Sequence, residues 1–421
     1  MAGNLGRRPV LGNERYGIRR GCPAGRAREE HGDVAMDALL FSLGIVVVAL
    51  SLASVLTTMV LPRRPRGFER LALGVNRAVR LLFLGLSRLA RTYEAKDALL
   101  APTAPAALVA QLVFWAASLA VGFALVLQPT THDYAHGLLQ SAGALFTVGT
   151  VHDGGPANEP VDIAAGALWV VIVALQIAYL PAIYSAFNKR EALVAMLESR
   201  AGVPAWGPEV LARHQLVGIT DALPEFYADW EQWAADLAES HTTYPVLLLF
   251  RSPEPWFSWL VGLLAVLDGA AMDLALSPSR ATSQARLCLR MGFTALNRIA
   301  VTLGWEVDPD PSPEGPIELT EEEFARAVAM LTALGYPVER SAEEAWPDFR
   351  GWRVNYESVA YRLADRLTAP PAPWSGPRRH LRSGPVAPNR PPQRKPGTFS
   401  LFDHRPDVVL PPSPRRGERR R

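Results

Sequence analysis

"LLQSAGALFTVGTVHDGGPANEP" occupies residues 138–160 of a 421-residue chain, and its reading decides the fold. Taken back to His136, its first half sets Leu138, Leu139, Ala142, Leu145 and Phe146 three and four residues apart. That is the spacing of an apolar helical face about three turns long. At roughly 1.5 Å per residue such a helix cannot cross a hydrocarbon core of about 30 Å. It is followed by the glycine-containing segment Thr147–Gly155 and lies in a loop, 128–162, that holds no Lys or Arg. Backbone that leaves the helical path at membrane depth is tolerated only where protein buries it or a watery cavity receives it. The stretch therefore predicts a short helix entering the bilayer and a loop leaving it on the same side.

The flanking sequence supplies the membrane. Ala38–Leu61, Ala106–Leu127 and Ile163–Phe187 are each more than 20 residues of almost unbroken apolar sequence, with Gln111, Gln176 and Pro181 the notable exceptions. About 20 such residues suffice to span. A fourth run, Trp256–Leu267, stops at Asp268 after about 12 residues and predicts a buried helix of a soluble domain.

Arg63, Arg64, Arg66, Arg70, Arg77, Arg80, Arg88, Arg91 and Lys96 separate the first two spans, and Lys189 and Arg190 follow the third. The excess of basic residues beside cytoplasmic span ends places both segments inside. The loop 128–162, with Asp133, Asp153, Glu159 and Asp162, then lies outside, as does the N-terminus. That topology requires export of a stretch containing Arg7, Arg8, Arg15, Arg19, Arg20, Arg26 and Arg28. Translation from Met36 would remove the conflict, leaving 1–35 as a mis-assigned start or a disordered leader. Mass spectrometry of the mature protein decides between these. The basic residues of 70–91 alternate with leucines, which predicts an amphipathic helix on the cytoplasmic leaflet rather than a voltage sensor with arginine at every third position.

Span, short helix, Thr147-Val148-Gly149, span: this order resembles the pore module of the potassium-channel superfamily, whose filter reads T-V-G-Y-G. The resemblance covers roughly residues 106–187. It implies that carbonyl oxygens of Thr147, Val148 and Gly149, with the threonine hydroxyl, replace the hydration shell of a permeant monovalent cation, potassium by analogy. It further implies Leu145 and Phe146 packing the pore helix, Asp153 at the pore mouth, and a homotetramer around one path. Gly166 and Pro181 become candidates for the hinge or gate of the inner helix, since proline removes a backbone donor and bends a helix. Two positions depart from the family: Thr150 stands for its tyrosine and Val151 for its second glycine, at a backbone position costly for a β-branched residue.

Residues 188–368 read as a cytoplasmic helical domain. NKREALVAMLESRAG continues the third span as a polar helix to Gly202; Phe226, Trp230 and Trp233 form a core stripe; Thr320 and Glu323 form a capping box ahead of a helix ending at Gly335. RVNYESVAYRLADRL predicts one further helix. Phosphate loops, dinucleotide fingerprints, serine elbows and zinc spacings are missing from the sequence, and Cys22 and Cys288 stand far apart outside any motif. His241, Arg251, Asp268 and Asp273 are the polar residues nearest the apolar centre, expected as satisfied buried groups. From Ala369 a Pro- and Arg-rich tail is expected to be disordered and solvated.

The sequence thus predicts an all-α plasma-membrane protein with three transmembrane helices, a re-entrant pore loop and a cytoplasmic helical domain. The expected function is cation conduction, not enzymatic catalysis, with lipids and identical subunits as partners, neither nucleic acid nor a cofactor expected, and the cytoplasmic ligand unassigned. The rival reading is a non-conducting anchor that uses a channel-like fold to oligomerise the cytoplasmic domain.

Overall fold

In a computed structural model that describes residues 23–61, 70–146 and 155–376, the chain is all-helical, with no strand among those residues. In order the helices are α1 (Pro23–Met59), α2 (Arg70–Ser87), α3 (Tyr93–Leu100), α4 (Thr103–Thr131), α5 (Tyr134–Leu145), α6 (Glu159–Ala201), α7 (Gly207–Val217), α8 (Leu223–Thr243), α9 (Trp259–Leu276), α10 (Ser283–Thr302), α11 (Glu321–Ala333), α12 (Ala342–Arg353) and α13 (Glu357–Leu367). Four stretches are long and apolar enough to cross a membrane: Val34–Met59, Tyr93–Thr131, Gly155–Ala201 and Trp259–Leu276. They differ in what surrounds them. The most apolar windows of the first three are 28%, 50% and 22% buried, whereas that of the fourth is 100% buried. The first three leave apolar surface uncovered; α9 leaves none.

The chain divides into two compact units. The smaller comprises residues up to Ser51 together with Ala117–Trp169. There α1 and the second half of α4 run antiparallel in close contact. A Cβ on Gly44 would lie 2.7 Å from Gly122 O, a Cβ on Gly122 would lie 2.8 Å from Val48 Cγ2, and Ser51 Oγ donates to Ser118 Oγ at 2.9 Å. Apolar helices have no hydrophobic drive to associate within lipid, so small residues and hydroxyl hydrogen bonds supply close packing instead. Upstream, α1 runs through Met36 without a break and begins at Pro23.

The larger unit holds Leu52–Ala116 and the chain from Val170 onward. Within it α9 is the central helix, buried along its whole length and packed by α7, α10 and α12, with α8 against α10. Trp230 and Trp233 of α8 form the expected core stripe, their ring centroids 4.6 Å apart. The crossing of α7 over α9 needs a glycine, since a Cβ on Gly207 would fall 2.4 Å from Asp268 Cβ. The capping box of α11 is present, and Gly335 follows it at φ +79.

Two boundaries differ from expectation. The helix expected over RVNYESVAYRLADRL is present as α13 but starts later, at Glu357: α12 ends at Arg353, residues 354–356 form a turn, and the Arg353 and Tyr356 side chains are buried. The domain also continues past Thr368. Ala369, Ala372, Trp374 and Ser375 are buried, so residues 369–376 belong to the packed domain rather than to the tail.

Candidate pore site

Asp133 starts α5: its carboxylate accepts from Ala135 N at 2.9 Å and lies 2.7 Å from His136 Nδ1. Side-chain acceptors of this kind satisfy N–H groups that have no partner in the first helical turn. The helix then doubles back beside the helix that precedes it. Gly137 lies against α4 near Ala124, where a Cβ would come within 3.1 Å of Ala124 O, and one turn later Ser141 Oγ donates to Ala120 O at 2.9 Å. As α5 advances, its partner residues on α4 recede from 124 to 120.

Along α6 the partners advance with it. Gln140 Nε2 donates to Asp162 Oδ2 at 2.8 Å, a Cβ on Gly166 would lie 3.1 Å from Ala144 O, and the Phe146 and Trp169 rings meet edge to face at 5.6 Å. α5 is therefore antiparallel to α4 and parallel to α6. The starts of the return are joined too, because Thr130 Oγ1 donates to Asn158 Oδ1 at 2.8 Å. Phe146 lies beside Trp169, while Asn158 lies beside Thr130.

The face that α5 buries is not the one its leucines suggest. Gly137, Gln140, Ser141 and Leu145 are buried, while Leu139 is 63% and Phe146 51% exposed. Leu145 packs as expected; Phe146 touches Trp169 but keeps half its surface open. The cause is distance: a close approach to two neighbouring helices admits glycine, serine and alanine and leaves bulky residues outward. Sequence periodicity finds an apolar face but cannot say whether protein or lipid covers it.

Thr147, Val148, Gly149, Thr150 and Asp153 lie outside the described residues. Gly166 and Pro181 both lie within α6, which is one unbroken helix from Glu159 to Ala201. Gly166, the hinge candidate, lies where a Cβ would come within 3.1 Å of Ala144 O. Around Pro181, Tyr179 and Ile183 are buried against Ala104, Ala107 and Leu108 at the start of α4 and against Val246, Leu247 and Phe250 of the short 3₁₀ turn Pro245–Leu249 and its end. Gln176 is buried with its Oε1 unpartnered among the described residues, and Gln111 donates to Asn76 Oδ1 at 2.6 Å.

The four polar residues singled out in the helical domain do not converge. Asp273 accepts from Tyr336 OH at 2.6 Å. Asp268 accepts from Tyr356 OH at 2.8 Å and pairs with Arg353. Arg251 pairs with Asp97. His241 has its Nε2 3.2 Å from Arg190 Nη1, and burial together with that guanidinium holds its pKa well below the ordinary imidazole range. Each is satisfied in a different place. Sequence reading passed over Arg190, which meets His241, and Arg353, which pairs with Asp268, because an arginine in a charged helix reads as a solvated one. No group of His, Cys, Asp and Glu among the described residues is arranged to hold a metal ion.

Glu209 of α7 is a further buried acid. It accepts from Arg213 Nε at 2.6 Å, and its other oxygen is buried without a partner. Burial outweighs the arginine and raises its pKa to about 7. The folded domain therefore retains a proton that the unfolded chain releases near pH 4.5, and stability contributed by this group falls as pH rises between those values. Glu209→Gln removes that slope. Chemical denaturation of variant and wild type at pH 5 and pH 8 should show the variant gaining about 2 kcal/mol relative to wild type across the interval. An unchanged difference would show that Glu209 is ionised in both states.

The chain matches no protein-family model, and comparisons with curated proteins and with solved structures find none similar to it.

Proposed function

We propose that the chain is the subunit of a plasma-membrane cation channel, potassium-like in its inner filter, with one pore loop per chain and four chains around one path. The observation that carries this reading is the course of α5, back along α4 from Ala124 to Ala120 and forward along α6 from Asp162 to Trp169. A short helix that runs back beside one apolar helix and forward beside another is the arrangement a pore loop needs. Three spans, in α1, α4 and α6, fit the partly uncovered apolar stretches. α9 is packed by α10 and α12, whose outer faces carry exposed Arg286, Arg290, Glu343 and Asp348, as a soluble core is. The positive-inside pattern gives an outer N-terminus and an inner domain.

In this assembly Thr147, Val148 and Gly149 coordinate the cation, Thr150 extends the filter, Asp153 lies at its mouth, and Pro181 marks the inner bend. The exposed faces of Leu139 and Phe146 supply surface for neighbouring copies or lipid.

Proteoliposomes provide the test. Wild type should pass potassium, and Gly149→Ala should change that flux at least tenfold, with native mass spectrometry giving four chains. A tetramer that passes neither potassium nor sodium would replace this reading with the non-conducting anchor, which Thr150 and Val151 favour because they remove the usual outer filter. A monomer would contradict both.

A further inference from the structure

Where α13 ends, its last carbonyls are taken by arginines from elsewhere in the chain. Arg80 Nη2 donates to Arg366 O at 2.5 Å, and Arg251 donates to Leu367 O at 2.9 Å and to Thr368 O at 3.1 Å. Cations at a helix C-terminus complement its dipole. That accounts for Arg251, which also pairs with Asp97 and donates to Tyr93 OH at 2.7 Å. It does not account for the rest. Arg80 spends one bond on the carbonyl. Arg366 donates to no acceptor among the described residues and has only the Trp305 ring, 6.0 Å from its guanidinium carbon.

Both side chains are half-buried, and neither pairs with a carboxylate among the described residues. They line one cleft of about 50 Å³, where Arg80, Arg251 and Arg366 face a single carboxylate, Asp97. About 10–15 Å³ of such space admits one water, so the cleft accepts a larger polar group. The Ser252 hydroxyl lies buried in the same wall without a partner. Arg77 adds a further cation nearby: burial and repulsion from Arg366 and Arg77, against attraction to Asp365, lower the pKa of Arg80, and burial with repulsion from Arg77 lowers that of Arg366. Guanidinium groups without a direct carboxylate partner, beside a partly enclosed cleft with a buried hydroxyl that has no partner, form a receptor for phosphate oxygens.

We propose that this cleft binds the phosphate of an anionic phospholipid headgroup through Arg80 and Arg366, with Arg77 at its mouth. A lipid rather than a soluble phosphate is favoured by position. Leu100 and Thr103 form part of the lining, immediately before the apolar run of α4, and α2 carries Leu81, Leu82 and Leu86 exposed by 55%, 62% and 42% beside the arginines. An exposed apolar face alternating with arginine suits the boundary between headgroups and acyl chains. Because α13 belongs to the helical domain, a bound headgroup ties that domain to the inner leaflet. The inference rests on α4 crossing the membrane and not on conduction.

Full-length protein in neutral detergent, titrated with dioctanoyl phosphatidic acid and followed by tryptophan fluorescence, tests it. Saturable binding is expected, with no matching response to dioctanoyl phosphatidylcholine. Arg366→Gln should weaken it at least tenfold and Arg77→Gln at least threefold. Arg366→Lys should retain most of it, and Arg88→Gln, the same charge change at an exposed site, should alter it less than twofold. Arg77 is exposed, so its variant keeps the proposal open to refutation if Arg366→Gln does not fold. Equal losses in Arg88→Gln and Arg77→Gln would reduce the effect to diffuse attraction and overturn the site. Wild-type binding in Arg77→Gln and Arg366→Gln would also overturn it. Inorganic phosphate competing at equal concentration would overturn the lipid as its source.

Discussion

Arg353→Ala should lower the melting temperature of the helical domain by about 10 °C, the largest effect expected of any single substitution. Arg353 is fully buried and makes four polar contacts: an ion pair with Asp268, a bond to Glu357 Oε1 at 2.8 Å, and bonds to Tyr361 OH and Trp374 O, each at 2.8 Å. The rings of Phe349, Tyr361 and Trp374 pack around its guanidinium at 5.7 to 5.9 Å. Alanine leaves two buried carboxylates without their countercharge, and breaking such a pair costs about 3–5 kcal/mol. For a domain of this size that converts to roughly 10 °C. The triple variant Arg353→Met, Asp268→Asn, Glu357→Gln should recover at least half of the loss, since it removes the charges together. A drop under about 2 °C in the single variant would show that the network is not what holds α12, α13 and residues 369–376 on the core.

Arg190→Ala carries the second largest effect and acts where α6 enters the domain. Arg190 donates to Glu191 Oε1 at 2.7 Å, to Leu247 O at 3.0 Å and to Phe250 O at 2.9 Å, and its own carbonyl accepts from Trp233 Nε1 at 3.0 Å. It thereby fixes the turn at 245–250, which packs against Tyr179 and Phe187 of α6 through Tyr244 and Phe250. Loss of the guanidinium strands two buried carbonyls and the Glu191 carboxylate, at a cost of about 3 kcal/mol. Under the channel reading the turn is also what couples the domain to the inner part of α6, so proteoliposome flux should change several-fold in Arg190→Ala at equal incorporation. Arg190→Lys, which keeps the charge without the planar fork, should fall between. Unchanged melting and unchanged flux would remove Arg190 from any coupling role.

The long apolar helices, the amphipathic α2, the short α5 and the capped helices of the domain were legible because each carries a local pattern: an uncharged run, a three-and-four spacing, a Thr320–Glu323 box. Contacts fixed by the partner helix were not. Gly44, Gly122, Gly137 and Gly166 look alike in sequence, and only the approach of a second backbone shows why each has no side chain. Arg190 and Arg353 were invisible for the opposite reason, since their buried acceptors, Leu247 O, Phe250 O and Trp374 O, are backbone atoms that any residue provides. Tail and domain could not be divided at Ala369 from composition, because Trp374 is buried by residues distant in sequence, its ring against Trp206 and Phe349 and its carbonyl accepting from Arg353.

Under the channel reading α5 carries the chain back into the bilayer, and cysteine accessibility measures that directly. In proteoliposomes, on a background with Cys22 and Cys288 replaced by serine, single cysteines at Tyr134, Leu139, Phe146 and Gly155 are exposed to a charged, membrane-impermeant maleimide on the outer side. All four positions are exposed in the isolated chain, at 40%, 63% and 51% for the first three, so protein packing alone does not protect them. Positions 134 and 155 should label at least tenfold faster than 139 and 146. Labelling at 146 as fast as at 155 would place the helix on the membrane surface and contradict the pore-loop reading.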